Sequence, residues 1–96
     1  MTTEICIGSN FLGQFDGTTM ANDIYTKISQ SMSLPVKETK KLLSVRDSSN
    51  HTEIRTSLPM TTSEGTTIHP YQQTIQVGLK SGKEVRLPAG ITVRRI

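Results

Sequence analysis

The strongest constraint on the fold lies near the end of the chain. Over Thr74–Lys80 the apolar residues Ile75, Val77 and Leu79 alternate with Gln76 and Gly78, and Glu84–Leu87 repeats the pattern with Val85 and Leu87. A period of two puts every second side chain on one face of a strand. Directly opposed residues of an antiparallel pair point the same way, so both apolar sets must share a face. A two-residue loop Ser81-Gly82 would set them on opposite faces. A three-residue loop Lys80-Ser81-Gly82 opposes Val77 to Val85 and Ile75 to Leu87. It also places Gly82 at the left-handed position of a type I turn with a G1 bulge. Pro88-Ala89-Gly90 repeats the solution, with Leu87 opposite Ile91 and Val85 opposite Val93. The expectation is a three-stranded antiparallel meander over about 74–80, 83–87 and 91–95.

One face of this meander carries Ile75, Val77, Leu79, Val85, Leu87, Ile91 and Val93 and requires a cover. The other shows Gln76, Gly78, Glu84, Arg86, Thr92 and Arg94. With Lys80, Lys83 and Arg95 nearby it is modestly cationic. Such a face is the ordinary solvated side of an antiparallel sheet, or a wing that touches phosphate. Gly78 inside a strand marks a bulge or a close approach.

The cover is expected from Thr18–Val45, which reads as two amphipathic helices. Met20, Ala21, Ile24, Ile28 and Met32 recur at helical spacing, with Tyr25 at the edge of their face. Thr18 and Thr19 suit the N-cap, and Asp23 suits the positive end of the dipole. Asn22, Thr26, Lys27, Ser29, Gln30 and Ser31 form the polar face. Ser33 ends the first helix and Pro35 opens the second. Val36, Leu42, Leu43 and Val45 supply the second apolar face, and Asp47-Ser48-Ser49-Asn50 stops it.

Two short helices about a tight turn resemble a helix-turn-helix motif, over about a fifth of the chain. Ile28, Met32, Leu34 and Leu42 fall where that motif wants apolar residues. Thr39 stands where an aliphatic residue is expected, and Ser33 where glycine is usual. On this register Lys37, Lys40 and Lys41 project outward towards phosphates or base edges. Glu38 projects with them and opposes phosphate. The plain alternative is an αα-hairpin whose lysines are solvated.

The rest of the chain is quieter. Glu4–Ile7 reads as a short strand with Ile5 and Ile7 on one face. Gly8-Ser9-Asn10 and Gly13–Gly17 read as turns, with Phe11, Leu12 and Phe15 anchoring a loop on the core. A polar bridge follows the helices over about 47–70. Ile54, Thr56 and Leu58 alternate within it as a strand, and Thr61–Thr67 reads as a loop.

Composition sets the outer limits. Ninety-six residues indicate a single domain, 1–96. Ile, Leu, Val and Phe number 23, just above the level at which disorder becomes the default, while Thr and Ser number 24. The core should therefore be thin, completed by a partner or by self-association. The net charge of +3 is compatible with nucleic acid without demanding it. No apolar run is long enough to span a membrane, and Met1–Glu4 lacks the order of a signal peptide. One cysteine, Cys6, forms no internal disulfide and reads as a structural thiol. Together these point to an intracellular, cytoplasmic protein, with a viral or phage protein in a host cell included.

No chemistry stands out. His51 and His69 lack ligand-spaced neighbours for zinc, and no cofactor loop is present. Asp16 and Asp23 lack a cleft for acid–base work. With four aromatic residues in all, of which only Tyr25 and Tyr71 are candidates, base stacking has little to build on. The fold expected is α+β: an N-terminal strand and a helix-turn-helix-like pair packed on the C-terminal meander. The leading function is a small DNA-binding, transcription-regulating protein without metal, cofactor or catalytic residues. It would contact double-stranded DNA through Lys37, Lys40, Lys41, Lys80, Lys83, Arg86 and Arg94, and a homodimer would supply two half-sites. The alternative is a non-catalytic protein-interaction module using the exposed edge of the meander or the helix pair.

Overall fold

Alternating apolar residues make strands, but which strands meet depends on the whole chain. The computed structural model describes residues 2–17, 20–48, 51–71 and 74–96. Among them it shows two α-helices and nine strands in two antiparallel sheets, an α+β fold. The strands are β1 (Thr3–Ile7), β2 (Asn10–Phe15), β3 (Leu43–Asp47), β4 (Thr52–Thr56), β5 (Met60–Thr62), β6 (Thr67–Ile68), β7 (Ile75–Leu79), β8 (Glu84–Arg86) and β9 (Ile91–Arg95). The helices, α1 (Asn22–Met32) and α2 (Val36–Leu42), lie between β2 and β3. The larger sheet has the order β2-β1-β9-β8-β5-β6, and the smaller has the order β3-β4-β7.

The strands of the C-terminal stretch form where the alternation places them. Val85 opposes Val93, and the Leu87 N–H donates to the Ile91 carbonyl at 2.8 Å, as expected. The hairpin between β7 and β8 does not form. Val77 opposes Ile54 and Ile75 opposes Thr56, in place of Val85 and Leu87. The turn keeps the expected left-handed glycine, Gly82 at φ 81°, but the Lys83 N–H donates to the Lys80 carbonyl at 3.0 Å, which closes a two-residue loop Ser81-Gly82 in place of the expected three-residue one. Beyond it the strands part because each edge is claimed elsewhere. β9 bonds Gly82 and Lys83 through the backbone of Arg95, β5 takes the far side of β8, and β4 takes β7. The expected three-strand meander is thereby divided between the two sheets.

Other expectations are corrected by the same pairing. The polar bridge holds β5 and β6 as well as the expected strand, β4, and only residues 63–66 of the expected Thr61–Thr67 loop lie outside a strand. The second helix ends at Leu42, because Leu43 and Val45 point inward from β3 with strand alternation. Residues 10–15, read as turns and an anchoring loop, form β2, and Phe11 is more than half exposed. Ser29, assigned to a polar face, is buried. The expected caps Thr18 and Thr19 lie outside the described residues, as do Ser49 and Asn50. Ala21 holds the N-cap position of α1.

The sheets and helices enclose one core. Ile5, Val85, Ile91 and Val93 enter it from the larger sheet, Leu43, Val45, Ile54 and Leu79 from the smaller, and Met20, Ile24, Tyr25 and Ile28 from the helical segment. The meander's apolar residues are therefore covered by another sheet as well as by helices. Gly13 permits α1 to approach β2. A Cβ there would stand 2.7 Å from Ile24 Cδ1, closer than packed atoms allow.

A polar cluster joins the inner faces of the sheets. Thr3 opposes Arg95 in the larger sheet, and Asp47 opposes Thr52 in the smaller. The hydroxyls of Thr3 and Thr52 both donate to Asp47 Oδ1, the latter at 2.7 Å, and the two hydroxyl oxygens are 2.8 Å apart. Arg95 Nη1 donates to Thr52 Oγ1 at 3.4 Å, and Nη2 to the Ser48 carbonyl at 3.2 Å. Thr3, Thr52 and Arg95 are each 0% exposed.

Two substitutions test this packing. Gly13→Val should lower stability by about 1–3 kcal/mol through overpacking against Ile24. Thr52→Val should cost a similar ~1–3 kcal/mol by stranding buried polar groups of Asp47 and Arg95. Urea denaturation measures both; an unchanged midpoint for either variant refutes the corresponding contact.

Candidate functional site

The helix pair has the turn that its motif requires. Ser33 adopts the left-handed conformation, φ 57° and ψ 40°, which glycine usually supplies there. Its N–H donates to the Gln30 carbonyl at 3.4 Å, and the Leu34 N–H to the Ser29 carbonyl at 3.0 Å. Thr39, in place of an aliphatic residue, is fully buried because its hydroxyl is satisfied. Ser29 Oγ donates to it at 2.6 Å, and it donates to the Pro35 carbonyl at 3.4 Å.

The cations of α2 are partly turned back on the protein. Lys40 Nζ donates to Asn22 Oδ1 at 2.7 Å and lies 5.5 Å from the centre of the Tyr25 ring. Burial pushes the Tyr25 phenol pKa up, so this ring stays neutral beside the ammonium. Lys41 pairs with Glu38 at 3.5 Å. Lys37 is exposed, and no ion pair involves it among the described residues.

The remaining expected contacts lie elsewhere. Arg86 and Arg94 flank Glu84 on the outer face of the larger sheet, at 3.4 and 4.0 Å. Lys83 pairs with Glu64 at 3.5 Å. Leu43, where α2 runs into β3, lies level with Ile75, whereas Lys80 follows Leu79 at the other end of β7. Along the strands those ends are about 13 Å apart, and across them about 10 Å. The seven cations thus occupy three places: α2, the turn after β7, and the outer face of the larger sheet.

That turn lies beside an open strand edge. The Ser48 N–H donates to the His51 carbonyl and the Ser57 N–H to the Leu42 carbonyl, at either end of the β3–β4 ladder. Alternate pairs of an antiparallel ladder carry the hydrogen bonds. Glu53 and Arg55 therefore bond β3, while Thr52, Ile54 and Thr56 bond β7. Their partners Leu79, Val77 and Ile75 face β4. Gln76 and Gly78 are left pointing their backbone N–H and C=O groups away from the sheet, with no strand beyond them among the described residues.

The other sheet edges carry guards of the kind that prevent unwanted strand pairing. The β1–β2 register shifts between Ile5 and Cys6, and β6 is two residues long. On β3, the outward N–H groups of Leu43 and Asp47 already bond the carbonyls of Thr39 and Gly17. β7 has five residues in unbroken register, with neither proline nor charge. Gly78 marks no bulge, and a Cβ there would make ordinary contact with His51 at 3.6 Å. Between the parting strands β7 and β8 is a cavity of about 170 Å³. Val77, Leu79 and Val85 supply its apolar lining, and Glu64, Lys80 and Lys83 its charges.

Elsewhere, Ser48, His51 and Glu53 meet at the β3–β4 hairpin. The Ser48 hydroxyl donates to the His51 carbonyl at 3.0 Å, and His51 Nε2 lies 3.4 Å from Glu53 Oε1. Gln76 Nε2 donates to Glu53 Oε2 at 2.9 Å. This arrangement clasps the hairpin to β7. Among the described residues no three His, Cys, Asp or Glu side chains gather as a metal site, and no helix is long and apolar enough to cross a membrane.

An exposed edge of the meander is expected from the sequence, but with β4 as its neighbour in place of β8, β7 opens on its other side. The signal that was available, Thr52-Ile54-Thr56 alternation, identifies a strand without naming its partner. No protein-family model matches the chain, and no curated protein or solved structure does.

The cavity rim carries a pH dependence. The backbone N–H of Glu64 and the ammonium of Lys83 hold the Glu64 carboxyl below its usual range. The associated stabilisation is complete above the ordinary carboxylate pKa and is lost as pH falls through the lower folded value. Hydrogen-exchange protection at Gly65, whose N–H donates to the Thr62 carbonyl, should hold at about pH 5 and weaken below about pH 4. The same profile in Glu64→Gln would show that Glu64 is not its source.

Proposed function

We propose that this protein is a non-catalytic protein-interaction module that binds an extended segment of a partner by strand addition to β7. The observation carrying this reading is the outward backbone of Gln76 and Gly78 on an unguarded strand. An added strand satisfies those groups with main-chain hydrogen bonds, and alternate side chains provide selectivity. The single cysteine fits a reducing compartment, the cytoplasm of a cell or of a host if the protein is viral.

The test is selection from a displayed library of random nine-residue peptides. Gly78→Pro removes one outward N–H and leaves the β4 pairing intact, as edge prolines do. Wild-type protein should enrich linear peptides that Gly78→Pro binds at least tenfold more weakly, with both proteins giving the same circular dichroism. Failure to enrich any linear peptide would refute the reading.

A second reading, a double-stranded DNA-binding regulator, is favoured by one observation: Ser33 and the Ser29–Thr39 pair satisfy the two weak points of the helix-turn-helix pattern. It requires micromolar binding to a random duplex, weakening steeply between about 50 and 200 mM salt. Lys40→Glu with Lys41→Glu should abolish that binding at unchanged circular dichroism. Fluorescence anisotropy decides; under the strand-addition proposal neither salt gives binding.

A further inference from the structure

We infer that the segment taken by β7 is acidic, with one aliphatic side chain in the cavity between the sheets and a carboxylate on Lys80. This inference rests on the strand-addition reading. A strand bonded to Gln76 and Gly78 places the residue opposite Val77 on Val77's own side of the sheet. That side is the cavity, whose apolar wall is Val77, Leu79 and Val85. Its ~170 Å³ is below the usual ~300–1,000 Å³ of a small-molecule pocket and suits one side chain.

The charge requirement comes from the rim of the same cavity. Lys80, just past the end of β7, lines the cavity together with Lys83 and meets the incoming strand there. Lys80 is exposed, and no ion pair involves it among the described residues. Lys83 stands beside it, held by Glu64 at 3.5 Å with both side chains more than half exposed. Such a pair is weak and exchangeable, so an incoming carboxylate can replace Glu64 on Lys83.

A second copy of this chain meets these requirements poorly. Antiparallel pairing of β7 with itself about Val77 sets Lys80 against Thr74, and Ile75–Leu79 contains no carboxylate. The two lysines would gain no partner from it.

The test uses defined nine-residue peptides of alternating valine and threonine carrying one Asp, Asn or Lys at the position facing Lys80. At about 50 mM salt the Asp peptide should bind about tenfold more tightly than the Lys peptide, with the gap narrowing at about 200 mM. Lys80→Glu with Lys83→Glu should reverse the order, and amide resonances of Gln76 and Gly78 should report binding. Equal binding of all three peptides, still lost in Gly78→Pro, would overturn the charge inference and leave strand addition standing. Binding unaffected by Gly78→Pro, or no binding by any peptide, would overturn both. Concentration-dependent dimerisation lost in Gly78→Pro, without peptide binding, would identify a second copy as the occupant and overturn the acidic-segment inference.

Discussion

The junction of Asp47, Thr52, Thr3 and Arg95 holds the two sheets in one arrangement. Apolar side chains from two sheets can slide over one another with little loss, because burial is not directional. Hydrogen bonds cannot, and a buried polar group without a partner is costly. Thr3 and Thr52 both reach Asp47 Oδ1 only when β1 lies against the β3–β4 hairpin in this register. Arg95 closes the set from β9 through Thr52. The guanidinium is fully buried, so it is tolerated only where acceptors surround it. A small core built from few large apolar residues gains from such a device, which specifies an arrangement that hydrophobic contact alone leaves loose.

The open edge of β7 follows from that arrangement. With Asp47 and Thr52 held inward beneath Thr3 and Arg95, β4 is fixed as the centre of the smaller sheet. Thr52 then opposes Leu79, and β7 is drawn to β4. Arg95 uses its backbone as well, bonding Gly82 and Lys83 and anchoring the start of β8 in the larger sheet. The turn between β7 and β8 consequently bridges two sheets. The gap that opens behind it has an apolar floor from both strands and lysines at its mouth. The module's binding surface, as proposed, is thus a by-product of how its sheets are joined.

Local chemistry made much of this legible beforehand. Gly82 is expected at a left-handed turn position and has φ 81°, although its loop is one residue shorter than the expected one. The Val85–Val93 register followed from keeping both apolar sets on one side across Pro88–Gly90. α1 was visible from the spacing of Ile24 and Ile28, which are buried. The errors were of another kind. Leu43 and Val45 suit the inner face of a helix as well as that of a strand, and only the partner Thr56–Ile54 decides. Phe11 looked like an anchor by its type, yet it lies opposite Cys6 on the open side of the larger sheet. The lysines were identifiable, but their grouping was not, since Lys40 turns to Asn22 and Tyr25 across eighteen and fifteen residues of sequence.

By itself, the sequence determined where the chain alternates, where it coils and where it turns, because these depend on side-chain periodicity and on the backbone freedom of a few residues. Tertiary structure alone decided which strand β7 would meet and which edge would stay open. Val77 offers the same apolar surface to Val85 as to Ile54, so nothing local distinguishes the two. The difference comes from groups remote in the chain: the backbone of Arg95, the hydroxyls of Thr3 and Thr52, and the carboxylate of Asp47. These hydrogen-bond across the two sheets, the carboxylate through Oδ1, and no window of sequence contains them.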